Sequence, residues 1–390
     1  MKFLRKKENT NRYVDSIFSV VNAAKADKDK DAINATAGCL YDEQGKLFTY
    51  KSVFEAEKAI TPAQRAAYAS SPAGNKGYVD AFSEFVLDGK VTNHYGSVGT
   101  AGGTGAIYMG IKTCLDEGDT VMYPSIAWGN YKVIADENNL KSLTYDPYDL
   151  DDMFNKIDEV ENKVFLIINS PCQNPLGSSY SFDEWQRIFN KLNSLNKEVV
   201  LMCDIAYIEY ANNNPKEYFS LFNNINDNVL VLLAASCSKA FSYYGQRLGA
   251  LIAINNDPGF IDLYLNLATR LARTTWSNLN NAAMLNIYEV LSNHLDEYKE
   301  ELAKARKMLK DRCELFVRQA RECGLELYKF SDGFFVTLKM ESNEQRDAYH
   351  QRLIDNHIYT IKVNKGIRLG LCSVSLAKID GLANKMKGLM

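Results

Sequence analysis

The sequence predicts an α/β protein: a mostly parallel sheet sandwiched by helices, with a smaller α/β domain beside it. Three observations carry that expectation. Four apolar runs in the middle of the chain, GDTVMYPS, NKVFLIINS, KEVVLMCDIAY and NVLVLLAAS, are continuous rather than alternating. Strands of that kind are buried on both faces. Helix-patterned segments lie between them, and strand–helix alternation builds a parallel sheet covered on both sides. The last third of the chain then changes character. A long amphipathic segment, residues 295–324, reads as a helix ending at Gly324, and short strand-like runs follow it: LELYKF, GFFVTLK, YTIKV and GIRLGL.

Each element has a local justification. In SFDEWQRIFNKLNSLN, residues 181–196, Ser181 is placed to cap a helix with Glu184 three residues on, the spacing of a capping box. At about 150 residues per domain, 390 residues imply two or three domains. Hydrophobic content of 46% and charged content of 24% suit a globular protein with a sizeable core. A net charge of −3 argues against a broad nucleic-acid surface. No apolar run approaches the roughly 20 residues of a membrane helix, so no membrane partner is expected. The four histidines are far apart, which disfavours a histidine metal site. There are eight cysteines and no C-x-x-C pair, and Cys172, Cys203 and Cys237 sit in or beside apolar runs. With no secretory apolar stretch after Met1, they are read as reduced thiols of a cytoplasmic protein.

Four strand ends carry unusual residues. INSPCQNPLG leaves Asn174 just past a strand. MCDIAYIEY puts Asp204 at a strand end with Tyr207 three residues on, and AASCSKAF puts Lys239 just past another strand. GTAGGTGAIYMGIK is a glycine-rich turn entering a helix. Ligands of parallel sheets bind at the carboxyl ends of the strands, so these groups are expected to converge there. Each alone has an ordinary reading: Asp204 as a helix cap, Tyr207 as packing, Asn174-Pro175 as a turn, the glycines as another turn. Lys239 is the hardest to dismiss. A lysine flanked by small residues at the end of an apolar run has little room to stay solvated, and a desolvated amine can lose its proton and attack carbonyls. A Schiff-base lysine needs an aldehyde. Pyridoxal phosphate supplies one, and its pyridine nitrogen requires an acid partner such as Asp204. Its phosphate requires hydroxyls, backbone N–H groups at a helix start and an arginine. Ser236, Ser238, Arg247, Gly103 and Thr104 are the right types. A metal is not expected.

At these residues the sequence resembles the fold-type I, pyridoxal-phosphate-dependent class I aminotransferases, in particular the aspartate and aromatic amino-acid branch. SCSKAFSYYGQRLGA is similar to the lysine motif of that family, GGTGA (102–106) to its phosphate turn, NPLG (174–177) to Asn-Pro-x-Gly, and DIAY (204–207) to Asp-x-Ala-Tyr. RTTWSN (273–278) and GIRLGL (366–371) are similar to two arginine motifs. The set keeps its order from about residue 33 to residue 372, which makes the resemblance specific. It goes with a large cofactor-binding domain over residues 61–290 and a small domain over 291–390, which residues 1–60 join.

The resemblance implies a role for each position. Lys239 is implied as the imine lysine and proton shuttle, and Asp204 as the partner of the pyridine nitrogen. Asn174 and Tyr207 are implied to hold the ring phenolate oxygen, and Trp128 to stack on the ring. Tyr78 is implied to reach the phosphate of the neighbouring subunit. Arg368 is implied to grip the substrate α-carboxylate, and Gly38 to leave room beside the substrate. Arg273 is implied to come from the partner subunit and bind the distal carboxylate of a dicarboxylic acid. A homodimer with shared active sites follows, with aspartate or an aromatic amino acid as donor and 2-oxoglutarate as the second substrate. The N-terminal dozen residues are expected either to pack on that partner or to lack fixed structure.

Some positions depart from the family pattern. PSIAWGNY is two residues longer than usual around Trp128, Leu176 replaces a common threonine, Gln173 a common histidine, and the first of two glycines near Gly38 is missing. These departures bear on substrate range rather than on reaction type. The competing function is another enzyme of the same fold, a carbon–sulfur lyase or an amino-acid decarboxylase. A regulator that senses the cofactor would need an appended DNA-binding module, for which this chain shows no basic helix-turn-helix stretch.

Overall fold

The structure is a computed structural model that describes residues 16–390. The N-terminal dozen residues lie outside the described residues. After β1 (Ile33–Asn34), seven strands build the central sheet: β2 (His94–Thr100), β3 (Thr120–Pro124), β4 (Lys141–Tyr145), β5 (Lys163–Asn169), β6 (Glu198–Asp204), β7 (Val229–Ser236) and β8 (Gly249–Asn255). Their spatial order is β2-β8-β7-β6-β5-β3-β4. All pair in parallel except β8, which runs against both β2 and β7. The continuous apolar runs have the expected cause. Along β5, Val164, Leu166 and Ile168 enter one core, while Phe165 and Ile167 enter another on the opposite face.

Helices close both faces. The glycine-rich turn starts α1 (Gly102–Cys114). The Ser181–Glu184 capping box starts α2 (Phe182–Asn193), whose Trp185, Ile188, Phe189 and Leu192 cover the first core. This helix stops short of residue 196, the end read from the sequence. The second core is covered by α1 and by α3 (Pro258–Thr275), through Ile261, Tyr264, Ala268 and Ala272. Among the described residues no helix is long and apolar enough to cross a membrane.

The long helix α4 (Leu295–Glu322) follows, and the chain turns at Gly324 with φ +69°. Beyond it, β9 (Phe335–Lys339) and β11 (Ile361–Val363) flank β12 (Gly366–Gly370) in an antiparallel sheet. β10 (Ile358–Tyr359) instead pairs in parallel with β1. The run YTIKV is therefore split at Thr360 between two sheets. LELYKF is not a full strand. Only Leu327 bridges to Leu338, because the chain then turns away and the N–H groups of Ser331 and Asp332 both donate to the Gly177 carbonyl.

One buried cation ties the N-terminal segment to the C-terminal strands. Arg312 of α4 is 0% exposed. Its Nε and Nη2 donate to Glu43 Oε1 at 3.0 and 2.6 Å, and its Nη1 to the carbonyls of Tyr41 at 2.9 Å and Cys372 at 3.0 Å. Removing one member of such a set leaves the other polar groups short of partners. Arg312→Ala is therefore expected to cost about 3 kcal/mol of unfolding free energy, the low end for a buried pair because Glu43 is 40% exposed. Urea denaturation followed by circular dichroism measures it.

Candidate active site

The carboxyl edge of the central sheet is assembled by register. Asn169, Asp204 and Ala234 are direct partners on β5, β6 and β7, so the ends of these strands are level. The Asp204 carboxylate is buried there. Its Oδ2 accepts from the Tyr131 hydroxyl at 2.5 Å and its Oδ1 from the Ala206 N–H at 3.1 Å. Burial raises the Asp204 pKa, against the opposing effects of those two bonds and of the nearby Lys239 charge. Asn169 donates through Nδ2 to the Asp204 carbonyl and accepts through Oδ1 from the Asn174 N–H, both at 2.8 Å. It thereby locks Asp204 and Asn174 together.

Nothing in the sequence alone singles out Tyr131 or Asn169. Tyr131 is on the helix Asn130–Glu137, edge-on to Trp128 with centroids 5.5 Å apart. Trp128, Tyr131 and Asp204 thus form one connected group.

Lys239 lies in the short helix Cys237–Ala240 directly after β7. It is half-buried, and its Nζ has no hydrogen bond among the described residues. Two aromatic rings face it instead, with centroids at 4.8 Å (Tyr244) and 5.7 Å (Tyr207). Its pKa is lowered, mainly by burial, with Arg247 and Arg368 lowering it further and the Cys39 and Cys372 thiols opposing. Burial likewise pushes the Tyr207 phenol well above its usual range, although the Arg368 charge works against it.

A cradle opens at the start of α1. Ser236 Oγ accepts the Ser238 N–H at 3.2 Å, and Ser238 Oγ accepts from Arg247 Nη1 at 3.4 Å. A Cβ on Gly102 would lie 2.8 Å from Arg247 Nη2, and one on Gly103 would lie 3.3 Å from Ser236 Cβ. The glycines therefore keep the space beside the guanidinium free. Thr104, one residue on, has no side-chain hydrogen bond among the described residues. Hydroxyls, a guanidinium and free helix N–H groups in one place suit an oxyanion.

The smaller strands supply the opposite wall. Arg368 on β12 is buried, donating from Nη1 to Asn174 Oδ1 at 3.0 Å and from Nη2 to the Thr36 carbonyl at 2.8 Å. Its Nε is buried without a partner, and its guanidinium lies 4.4 Å from the Phe335 ring centroid. A Cβ on Gly38 would sit 3.3 Å from Phe335 Cζ and 3.9 Å from the Tyr207 hydroxyl. Gly38, Tyr207, Asn174 and Arg368 are therefore brought together, with Phe335 as a neighbour the sequence did not reveal. Two of the departures from the family pattern meet as well. Gln173 Nε2 donates to the Ile126 carbonyl in the longer loop at 2.7 Å, and its Oε1 accepts the Leu176 N–H at 2.9 Å.

Two expected residues are not in this cluster. Tyr78 corrects the sequence reading: it is 1% exposed, and its hydroxyl donates to the Gly249 carbonyl of its own chain at 3.0 Å. The cause is helical period. Tyr78, Phe82 and Val86 form the inward stripe of the helix Lys76–Leu87, so the phenol cannot reach a neighbouring subunit. The exposed tyrosine of this region is Tyr68, at 89%. Arg273 lies near the end of α3 on the surface, bonded to Ser277 Oγ at 2.6 Å.

The family model described as aminotransferase class I and II matches residues 30–386. The chain belongs to that family. It is a pyridoxal-phosphate-dependent aminotransferase. The chain is 29% identical over 256 residues to the cytoplasmic aspartate aminotransferase of Dictyostelium discoideum, an alignment covering 62% of this chain and 58% of that protein. Among solved structures, an aminotransferase from Anaerococcus prevotii superposes with a TM-score of 0.94 at 29% identity, covering 100% of this chain and 99% of that one. An aromatic-amino-acid aminotransferase from Burkholderia pseudomallei, covalently bound to pyridoxal phosphate, shares the fold with a TM-score of 0.83 at 22% identity, covering 97% and 98%.

The aminotransferase's own residues fit the cofactor. The glycine cradle would accept its phosphate, Asp204 offers a buried carboxylate to a ring nitrogen, and Lys239 offers an amine without a hydrogen bond. Tyr131→Phe removes one of the two donors to Asp204. It is expected to cost on the order of 2 kcal/mol of stability at neutral pH and to raise the Asp204 pKa further, since burial stays while a bond to the charged form is lost. Denaturation at a series of pH values measures both.

Proposed function

We propose that this aminotransferase exchanges an amino group between aspartate or an aromatic amino acid and 2-oxoglutarate, with the Lys239 amine as the covalent anchor of the cofactor aldehyde. One observation carries the reading: an amine without a hydrogen bond, its pKa lowered by burial, shares a sheet edge with a buried carboxylate. The name of the Dictyostelium relative supports the dicarboxylic donor, and that of the Burkholderia enzyme the aromatic one.

When bound, the cofactor supplies an aldehyde that condenses with amines and a pyridine ring that takes up the electron pair left at the substrate α-carbon. Asp204 would keep a proton on the ring nitrogen, and Tyr131 and the Ala206 N–H keep Asp204 in place. Asn174 and Tyr207 would hold the phenolate oxygen, and Trp128 would pack on the ring. Ser236, Ser238, Arg247, Thr104 and the Gly103 N–H would hold the phosphate. Arg368 receives the α-carboxylate, for which its unpartnered Nε is a ready donor. Lys239 takes the α-proton on Nζ and returns it. Its lowered pKa makes the neutral amine available nearer to neutral pH. Gly38 leaves the substrate room beside Phe335.

The working unit is a homodimer in which Arg273 of one chain binds the distal carboxylate at the other chain's site. Tyr68 and Arg273 are both exposed, and their segments are joined by two hydrogen bonds between Ala69 and Asn278, at 3.0 and 3.2 Å. They therefore present one surface, and Tyr68 replaces Tyr78 as the tyrosine able to act across a boundary. The described part of residues 1–60 acts with 291–390 as one unit against 61–290, in keeping with the β1–β10 pairing and the Arg312 contacts. A cytoplasmic setting accords with the name of the Dictyostelium relative.

Two variants test the reading. Lys239→Ala is expected to abolish turnover and to leave no cofactor fixed to the chain after borohydride reduction, checked by mass spectrometry; an active Lys239→Ala protein overturns the assignment. Arg273→Ala is expected to lower kcat/KM for aspartate about 100-fold, the size of a lost charge-assisted pair, while aromatic donors lose far less. Equal losses for both donor classes would remove Arg273 from the substrate site.

A further inference from the structure

We propose that Tyr244 is a positioning residue of this active site, its ring face holding the Lys239 amine and its hydroxyl tying that amine to the chain that carries Gly38. The proposal rests on the reading of Lys239 as the reactive amine. Tyr244 touches three parts of the site at once. Its ring centroid is 4.8 Å from Lys239 Nζ, nearer than Tyr207 at 5.7 Å. Its hydroxyl accepts the Leu40 N–H at 3.0 Å, two residues after Gly38. Its carbonyl accepts from Arg247 Nη1 at 2.9 Å.

The physical argument starts from what surrounds the amine. Lys239 Nζ has no hydrogen bond among the described residues, and burial disfavours its charged form. An amine that must accept a proton during the reaction needs something to stabilise the ammonium for that interval. An ammonium within about 6 Å of a ring face is attracted by the ring quadrupole, more strongly when desolvated. Tyr244 provides that face without a competing negative charge, which would keep the lysine protonated throughout. The other groups facing the amine are the thiols of Cys39 and Cys372, the guanidinium groups of Arg247 and Arg368, the Asp204 carboxylate and the Tyr207 ring. Of these, only Cys39 lies next to a group that the Tyr244 side chain bonds, the Leu40 N–H, and Tyr244→Phe, which loses that bond but keeps the ring, controls for it. The Leu40 bond adds a mechanical link. The Tyr244 phenol oxygen thus links the chain that leaves room for substrate at Gly38 to the turn that holds the amine.

The test uses the full chain freed of cofactor and then mixed with pyridoxal phosphate. Only the neutral amine condenses with the aldehyde, with loss of water, so the rate of covalent uptake, followed by absorbance and trapped with borohydride, rises with pH about a midpoint set by Lys239. Tyr244→Leu is expected to move that midpoint down by about one pH unit, because the ammonium loses its ring face. Tyr244→Phe keeps the ring and is expected to hold the midpoint while raising KM for the amino donor several-fold. If the leucine variant does not fold, Tyr244→Trp takes its place, and the stronger ring face is expected to move the midpoint up. An unmoved midpoint in Tyr244→Leu or Tyr244→Trp overturns the proposal, and so does a Phe variant that shifts as far as the Leu variant. Lys239→Ala separates the two readings. Covalent uptake in that variant means the Lys239 assignment has failed. No uptake there, with unmoved Tyr244 midpoints, means that only the Tyr244 proposal has failed.

Discussion

The parallel register of β5, β6 and β7 is the constraint on which the site depends. Asn169, Asp204 and Ala234 end these strands at one level, and the functional side chains extend from there. Side chains alternate faces along a strand, so a slip of one residue in β6 would turn Asp204 away and bring Cys203 into its place. Such a slip is costly because both faces of the sheet are buried. Cys203 belongs to one core, while its neighbours Met202 and Ala234 belong to the other. The apolar packing that stabilises the sheet is therefore also what aims the carboxylate. Asn169 adds a second lock through its bonds to the Asp204 carbonyl and the Asn174 N–H.

Burial then shapes the chemistry. The same loss of water raises the Asp204 pKa and lowers that of Lys239, so each charged form is destabilised without a ligand. Arg368 keeps its charge but has a buried Nε with no partner. In the proposed function, the electrostatic complement of these groups would come from outside, from a ring nitrogen, a carbonyl carbon and a carboxylate. The polar contacts that do exist act on placement. Tyr131 orients the carboxylate, Asn174 the guanidinium, and Gln173 joins the Trp128 loop to the Asn174 turn.

The parts legible in the sequence are those in which residue type conflicts with its surroundings. A lysine after NVLVLLAAS and an aspartate after KEVVLMC stand out against apolar strands. Partners recruited from distant segments do not stand out. The chain has 23 tyrosines, and nothing in a linear string marks Tyr131 as the one that reaches β6. The misplacement of Tyr78 had an available signal, since Tyr78, Phe82 and Val86 recur at helical spacing and so face inward. LELYKF has the composition of a strand, but the bond that diverts its end, to the Gly177 carbonyl, comes from a turn far earlier in the chain. The long α4 and the capped α2 follow from local periodicity and capping alone, which is why their starts were readable.

The reversed direction of β8 has a consequence for how the gene can vary. A parallel successor to β7 would require a crossover to the opposite edge of the sheet. The antiparallel step from Ser236 to Gly249 instead keeps residues 237–248 on one rim, with Lys239 and Arg247 in the same short connection. Added or deleted residues there would alter the spacing of amine and guanidinium directly, since only the end of the Cys237–Ala240 turn and the single 3-10 turn Tyr244–Gln246 lie between them. This hairpin is therefore a length-locked segment, in which side chains outside the site can be exchanged but residue count cannot.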